Sequence, residues 1–167
     1  MTFYLLCDAP WWGDYGWTLR AGYNPEPWRR DGRLLLWRTG PFVPPISVMI
    51  ETVTVTDAFR EQMLGRFPKL QFSEVILDKV VELHWERWDR SARYPQDPPP
   101  LGEPESYLID NEHSPSTAAA MPKLWEVALS PGAVGGTTPA NTPKSNYVRA
   151  CVAPDTWNGS EIFHLSG

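Results

Sequence analysis

The sequence is poor in the residues that most often carry catalysis or cross-links. It has two cysteines, Cys7 and Cys151, and three histidines in 167 residues. Both cysteines lie in unrelated apolar, strand-like contexts without CxxC spacing, which is typical of buried free thiols in a reducing compartment. This pattern leaves a disulfide between them open as the alternative.

Long apolar segments are also missing. No run approaches the roughly 20 apolar residues that a membrane-spanning helix needs. The N-terminal segment MTFYLLCDAP has no basic residues before its apolar stretch. That stretch, residues 3–6, is shorter than the roughly 7 to 15 residues of a signal-peptide core. We therefore predict a cytoplasmic protein that does not bind membranes.

No known catalytic motif stands out. The chain has no GxSxG nucleophile elbow, and GGTTP at 135–139 is not followed by the GKS or GKT of a phosphate loop. One cluster within IDNEHS, formed by Asp110, Glu112 and His113, could ligate a metal or act as acid and base. Three adjacent polar residues before a helix cap more often form a turn. We predict a non-enzyme without metal or cofactor, and a small hydrolase built on this cluster is the alternative.

Positive charge is absent from one stretch of the chain. Residues 94–113 contain no Lys or Arg but five acids, Asp97, Glu103, Glu105, Asp110 and Glu112. The chain has 20 acids and 15 bases, a net charge of −5, so acids and bases balance outside this stretch. The lack of a basic footprint argues against nucleic-acid binding, whereas the acidic stretch suits a basic partner. The alternative is a solvated loop that only aids solubility.

Proline is abundant, with 18 residues, and it limits long helices and central strands. The length and the hydrophobic fraction of 42% are those of one globular domain. We predict a single domain over residues 1–167, whose end just after a strand-like run is compatible with truncation at the C-terminus. The predicted fold class is α+β, a strand-dominated mixed or antiparallel sheet with two short helices and long Pro/Gly-rich loops.

Local patterns place these elements along the chain. Capping signals predict helices that begin at Thr56 or Asp57 and at Ser114-Pro115, and Pro68 and Pro122 stop them. Apolar or alternating runs predict strands at 2–8, 31–38, 47–55, 69–89, 124–129, 147–152 and 161–165. The run at 69–89 is two strands or one long bent strand, and a helix over 74–87 is the weaker alternative because of its β-branched content. Residues 9–32 are predicted to be a long loop or a loose hairpin, and 90–105 and 130–146 are predicted loops.

Tryptophan is frequent, with nine residues. The predicted loop 9–32 contains Trp11, Trp12, Trp17 and Trp28, and the end of the 69–89 run contains Trp85 and Trp88. Tryptophans in loops act as stacking platforms for sugars or as anchors in protein interfaces. The alternative is that the loops bury these rings over the sheet, because each ring would otherwise leave roughly 150 to 250 Å² in water.

Four stretches of the sequence are similar to segments of one protein family. They are VTVTDAFREQMLGRFPKLQFSEVIL at 53–77, ESYLIDNEHS at 105–114, MPKLWEV at 121–127 and DTWNGSEIF at 155–163. Together they resemble the immunity proteins of bacterial polymorphic-toxin systems, in which a strand, a short helix and a second strand recur as a unit. The similarity covers about two thirds of the chain in patches.

The resemblance implies a non-catalytic protein that binds one cognate secreted toxin and occludes its active site. The acidic stretch would then steer a basic toxin cleft towards the protein, and aromatic side chains would be the buried contacts. The hypothetical toxin-binding residues are Asp97, Glu103, Glu105, Asp110, Glu112, Trp12, Trp17, Trp85 and Trp88. The alternative from another class is a carbohydrate-binding module that uses the tryptophans of residues 9–32.

Overall fold

A computed structural model of the chain describes residues 12–49, 52–95, 103–134, 154–156, 158–160, 162 and 164–166. The chain divides into two compact units, a larger one within Cys7–Val127 and a smaller one that contains the residues from Ala128 onwards. Among the described residues, no helix is both long and apolar enough to cross a bilayer.

The described residues form four α-helices and nine strands, which confirms the α+β fold class. The helices are α1 (Gly13–Ala21), α2 (Asp57–Arg66), α3 (Glu105–Asp110) and α4 (Pro115–Ala119). The strands are β1 (Arg29–Arg30), β2 (Arg33–Gly40), β3 (Ile46–Val48), β4 (Val53–Thr56), β5 (Gln71–Glu74), β6 (Ile76–Glu82), β7 (Leu124–Ala128), β8 (Pro131–Val134) and β9 (His164–Ser166). Two single 3-10 turns lie at Trp85–Arg87 and Pro154–Thr156.

Strand β2 is the centre of a three-stranded sheet in the order β1-β2-β6. The turn Asp31-Gly32 joins β1 to β2 as an antiparallel hairpin, and both turn residues have positive φ, 53° and 77°. Asp-Gly pairs suit such turns because they tolerate this backbone region. Strand β6 pairs with β2 in parallel, which requires a long crossover between the two strands.

The crossover contributes most of a second sheet, in the order β3-β4-β7-β5. Strands β3 and β4 are antiparallel, and so are β4 and β7, with Val55 opposite Trp125. Helix α2 follows β4 directly, and the Thr56 hydroxyl caps it by accepting the Phe59 amide. A core cluster joins α1, β2 and β7 through Ala21, Leu34, Leu36, Met49, Val75 and Leu124.

In the smaller unit, β8 and β9 pair in parallel, with Pro131 opposite His164. The backbone amide of Asn158 donates to Gly132 O at 2.9 Å, and its side-chain amide donates to Pro131 O at 3.1 Å. These bonds tie the turn after the second 3-10 segment to β8.

Both predicted helices are confirmed, as α2 and as α4, which Ser114 caps with Pro115 in the first turn. The predicted strands at 31–38 and 124–129 correspond to β2 and β7, and the run at 69–89 contains two strands, β5 and β6. Strand β9 overlaps the end of the predicted strand at 161–165. The predicted strands at 2–8 and 147–152 lie outside the described residues.

Three local predictions were wrong. Residues 9–32 are not a continuous loop, because they contain α1 and β1, and residues 47–55 are divided between β3 and β4. Strand β8 lies within the predicted loop at 130–146. Helix α1 was missed because its sequence, GDYGWTLRA, combines two glycines with aromatic and β-branched residues, all weak helix formers. Tertiary contacts therefore decide its conformation.

Those contacts hold the C-terminal carbonyl groups of α1. The Thr39 hydroxyl donates to Leu19 O at 3.2 Å, and both the Ser47 hydroxyl (2.9 Å) and Arg38 Nη2 (3.2 Å) donate to Arg20 O. Gly22 then turns the chain away at φ 96°, where a Cβ atom would lie 2.7 Å from Trp37 O. Side chains of β2 and β3 thus satisfy carbonyls that the end of a helix leaves without partners.

Arg38 is the largest charged group in this arrangement and is fully buried. Burial lowers the pKa of its guanidinium to about 10, so it stays protonated at neutral pH. No carboxylate within the described part of the chain pairs with it, and its Nη1 has no hydrogen-bond acceptor there. The partial negative charge at the end of α1 is the favourable field that this cation meets.

We expect Arg38→Met to leave the free energy of unfolding unchanged or to raise it by about 1 to 3 kcal/mol, because it removes a desolvated charge from the core. Arg20 O keeps its bond from Ser47 in this variant. Adding Ser47→Ala should cost about 1 to 3 kcal/mol, because the buried carbonyl then loses both donors. Urea unfolding at pH 7 measures both changes. A large loss of stability from Arg38→Met alone would show that the hydrogen bonds of Arg38 contribute more to stability than its desolvation costs.

A second buried interaction joins the two sheets of the larger unit. Arg29 on β1 donates two hydrogen bonds to Glu126 on β7, from Nη1 to Oε2 at 2.9 Å and from Nη2 to Oε1 at 2.6 Å. The hydrogen bond to Glu126 raises the pKa of Arg29. Glu126 is only 8% exposed, so its carboxylate depends on this guanidinium for compensation.

Arg29→Met should destabilise the protein by about 1 to 2 kcal/mol, because it leaves the largely buried Glu126 carboxylate without its cation, while the exposure of Arg29 lets solvent offset part of that loss. The double variant Arg29→Met/Glu126→Leu should recover most of that loss, since neither charge then remains. Thermal or urea unfolding of the wild type and both variants tests the pair. Equal stability of the single variant and the wild type would show that this ion pair is dispensable.

Candidate functional site

The N-terminal end of α1 places Trp12 in a group of aromatic side chains. The Trp12 indole Nε1 donates to Ala92 O at 3.0 Å, and its ring lies 5.9 Å from the Trp88 ring at a tilt of 51°. Both rings, together with Tyr107, pack against a buried cluster of Leu19, Leu83 and Trp85. Helix α1 and the segment after β6 therefore share one apolar contact.

Phe42 completes this group from the segment after β2. Its ring meets the Trp85 ring edge to face at 5.0 Å, and the side chain is 39% exposed. We define the aromatic cluster as Trp12, Phe42, Trp85, Trp88 and Tyr107. Trp85 lies at its base, whereas the other four rings are partly exposed around it.

Helix α3 brings acidic side chains to the edge of the aromatic cluster. Its residue Tyr107 belongs to the cluster, and the neighbouring Leu108 is buried. We define the acidic segment as Glu103, Glu105, Asp110 and Glu112, which lie on α3 or within two residues of its ends. Three of these side chains are exposed and Glu105 is partly buried. The acids and aromatic residues predicted separately from the sequence thus meet at one helix.

The acidic segment carries uncompensated charge. Within the described part of the chain, no Lys, Arg or His lies at ion-pair distance from its four carboxylates. Lys79 approaches α3 but donates to the Ile109 carbonyl, at 2.9 Å. The segment around Trp88 differs from α3, because it carries both signs of charge: Arg87, Arg93 and Asp89 are exposed there.

His113 has a structural hydrogen bond. Its Nδ1 accepts the backbone amide of Val80 at 3.0 Å, and the next residue, Ser114, donates its amide to Val80 O at 2.8 Å. Accepting at Nδ1 fixes the proton of a neutral imidazole on Nε2. Where the structure describes the chain, no group of three or more His, Cys, Asp or Glu side chains is placed to hold a metal ion. The Asp110, Glu112 and His113 cluster is therefore not assembled as a metal site in this conformation.

A cleft of about 380 Å³ lies at the other end of α1. Three aromatic side chains line it, those of Trp17, Tyr23 and Trp28, together with Asn24, Glu26 and Glu105. The Trp17 indole Nε1 donates to Val48 O at 2.8 Å, which fixes one of these rings. Because Glu105 begins α3, the same short helix contributes to this cleft and, through Tyr107, to the aromatic cluster.

The predicted toxin-binding residues divide accordingly. Trp12 and Trp88 lie in the aromatic cluster with partly exposed rings, and Trp17 lies in the cleft. Trp85 is 2% exposed and supports the other rings of the aromatic cluster, and its role in toxin binding stays a prediction. Asp97 lies outside the described residues.

Several residues at both places were missed from the sequence. Phe42 and Tyr107 were not predicted because single aromatic residues in Pro-rich or acidic segments carry no periodic signal. Tyr23 and Glu26 could not be predicted because residues 9–32 show no regular apolar pattern. Gly22, the glycine that ends α1, is a local signal for this helix.

Comparison with known proteins finds no matching family model, no matching curated protein and no matching solved structure. Function therefore has to be argued from the chemistry of these two places.

The packing of Tyr107 predicts how firmly α3 is held. Tyr107→Ala should destabilise the protein by about 2 kcal/mol, about half the cost of removing a fully buried aromatic ring, because this ring is partly buried. Tyr107→Phe is the matched control and should change little, since the hydrogen bond from the hydroxyl to Glu82 O is long, at 3.4 Å. Urea unfolding measures both variants. If Tyr107→Ala unfolds like the control, the ring does not dock α3.

Proposed function

We propose that this protein is an immunity protein, which binds a cognate secreted bacterial toxin in the cytoplasm and occludes its active site. The observation that carries the proposal is the position of α3, which joins an uncompensated acidic segment to a partly exposed aromatic cluster. Protein complexes that combine a high association rate with high affinity use complementary charge for the first and buried aromatic contacts for the second.

The acidic segment supplies long-range attraction. Toxins that cleave nucleic acids, and other enzymes with anionic substrates, need a cationic active site, and four unpaired carboxylates present the complementary charge. Attraction of this kind raises the association rate and weakens with salt, because ions screen exposed charges beyond about 10 Å at 0.1 M. The acidic segment is therefore assigned to the encounter with the toxin.

The aromatic cluster supplies the contact that persists after the encounter. Its outer rings are held before binding, Trp12 by its bond to Ala92 O and Phe42 by its contact with Trp85. Rings that are already ordered lose little side-chain entropy on binding, which favours them as buried contacts. We assign Trp12, Phe42 and Trp88 to this role, with Trp85 as their support.

The similarity of residues 53–77, 105–114, 121–127 and 155–163 to immunity proteins supports the same proposal. In the larger unit, the first of these stretches spans β4, α2, β5 and the start of β6, a strand, helix and strand order that agrees with the family unit. The second contains α3, which carries both parts of the proposed surface.

A carbohydrate-binding module is the second candidate, and the cleft at Trp17, Tyr23 and Trp28 favours it. Three rings around a cleft of about 380 Å³ could stack on sugar units. This function needs no toxin, so titration with oligosaccharides separates it from the first proposal.

The direct test of the first proposal is protection from toxicity. The gene next to this one should encode a large secreted protein with a variable C-terminal domain, and that domain should stop growth when expressed alone in a bacterial host. Co-expression of this protein should restore growth, and co-expression of an unrelated acidic protein of similar size should not. A neighbouring domain that is harmless, or toxicity that persists on co-expression, would overturn the proposal.

Charge reversal tests the acidic segment within that system. Glu103→Lys/Asp110→Lys/Glu112→Lys should slow association with the toxin domain at least about tenfold at low salt, because it removes the attractive field. The matched control is Glu61→Lys/Glu74→Lys/Asp155→Lys, with three exposed or partly exposed acids elsewhere. Each substitution raises the net charge by two, so both triple variants change it from −5 to +1. A difference between their association rates therefore depends on where the acids lie and not on the total charge. Stopped-flow measurement at several salt concentrations gives the rates, and equal rates would remove the acidic segment from the mechanism.

A further inference from the structure

The cleft at the C-terminal end of α1 has an unusual charge balance. Among the described residues that line it, the acidic side chains are Glu26, which is exposed, and Glu105, which is partly buried. Neither carboxylate forms an ion pair or a side-chain hydrogen bond with any described residue. No described Lys or Arg lines the cleft, although Arg29 lies against the Trp28 ring, 4.6 Å from its centre. The described part of the cleft thus presents two carboxylates, with the rings of Trp17 and Tyr23, to solvent.

The uncharged polar groups of the cleft do not decide between a neutral and a charged guest. The Trp17 indole N–H donates to Val48 O, and the Asn24 amide donates to Leu35 O at 2.8 Å, whereas the Thr52 hydroxyl has no hydrogen-bond partner among the described residues. A hydroxyl group can donate or accept, but a guanidinium or ammonium group has donors only, and it alone gains from the charge of two unpaired carboxylates. The two carboxylates beside aromatic rings therefore favour a cation over a neutral sugar.

The protein already holds its own guanidinium groups by this combination of a ring and a carboxylate. Arg29 lies 4.6 Å from the centre of the Trp28 ring while it is bound to Glu126. Arg60 lies 4.2 Å from the centre of the Trp125 ring, with Asp57 at 4.0 Å. In both places an aromatic face and an acid fix one cation. In the cleft, Trp17 and Tyr23 offer aromatic rings and Glu26 and Glu105 offer carboxylates, and no described cation pairs with these four side chains.

We propose that this cleft receives the positively charged end of an arginine or lysine side chain from the toxin. The inference rests on the proposed function, because it takes the toxin as the source of the basic side chain. Aromatic faces would contact the cation, and Glu26 and Glu105 would accept its hydrogen bonds. Since Glu105 begins α3, the cleft would extend the interface from the aromatic cluster and the acidic segment around the same helix.

A small-molecule probe tests the site without the toxin. N-acetyl-arginine amide is titrated into the full chain, and the indole N–H signals of Trp17 and Trp28 are followed by NMR. N-acetyl-citrulline amide is the control, because it keeps the shape of the probe and removes its charge. We expect saturable shifts with the arginine probe and none with the citrulline probe. Equal shifts with both probes, or none with either, would overturn the cation site.

Matched variants locate the binding. Glu26→Gln/Glu105→Gln keeps the size of both side chains and should weaken the arginine probe at least about tenfold, since each carboxylate in a partly exposed pair contributes modestly. Glu61→Gln/Glu74→Gln makes the same change in charge outside the cleft and outside the acidic segment, and it should change the affinity less than about twofold. Equal weakening in both variants would mean that only overall charge matters. Maltohexaose and cellohexaose are titrated alongside, and a response to either sugar without one to arginine would favour the carbohydrate-binding reading.

The toxin supplies the second half of the test. Glu26→Gln/Glu105→Gln should weaken binding of the toxin domain at least about tenfold. We expect this mainly as faster dissociation, because substitutions within one interface change the dissociation rate more than the association rate. If the arginine probe binds but toxin affinity is unchanged, the cleft is not part of the interface and the inference fails, while the immunity function stands. If no toxin is found, the probe experiment still decides whether the cleft binds cations, and it is the proposed function that fails.

Discussion

The arrangement of both candidate sites depends on how the C-terminal end of α1 is held. A nine-residue helix with two glycines is not stable by itself, and here its last carbonyl groups are bound by donors from Thr39, Ser47 and the buried Arg38. This attachment fixes the helix across β2 and β3. One end of α1 then places Trp12 in the aromatic cluster, and the turn of the helix near its middle places Trp17 in the cleft. Among the described residues Arg38 has no carboxylate partner, so this attachment of the helix carries the desolvation cost of a buried cation.

Helix α3 makes the second connection. It has only six residues, yet it carries the cleft carboxylate of Glu105, one ring of the aromatic cluster and two of the four acids of the acidic segment, Glu105 and Asp110. A short helix docked by Tyr107 and Leu108 can be exposed on its other side without losing its place. The resulting surface combines the long-range electrostatic attraction of the acidic segment with the ordered side chains of the aromatic cluster. The proposed immunity function requires this combination, because binding has to be both fast and tight.

The sequence allowed part of this to be predicted, and the failures have physical causes. Caps at Thr56 and Ser114 are local hydrogen bonds between near neighbours, so α2 and α4 could be placed from the residues alone. The excess of acids around α3 was visible because charge counts need no structure. Helix α1 could not be predicted, because its stability comes from residues about 20 or more positions away. For the same reason the sequence does not indicate that Phe42, Trp12 and Trp88 pack against Trp85. The cleft at Glu26 likewise depends on contacts between distant residues and could not be predicted.

The central claim is that the surface around α1 and α3 binds the toxin. Hydrogen–deuterium exchange of this protein, alone and with the C-terminal domain of the neighbouring secreted protein, tests it most directly because every described segment is compared at once. The account predicts that the complex slows exchange in residues 12–28, 85–94 and 103–113, and leaves α2 and the strand pair β3-β4 unchanged. Protection confined to α2, β3 and β4, with none in α1 or α3, would contradict it.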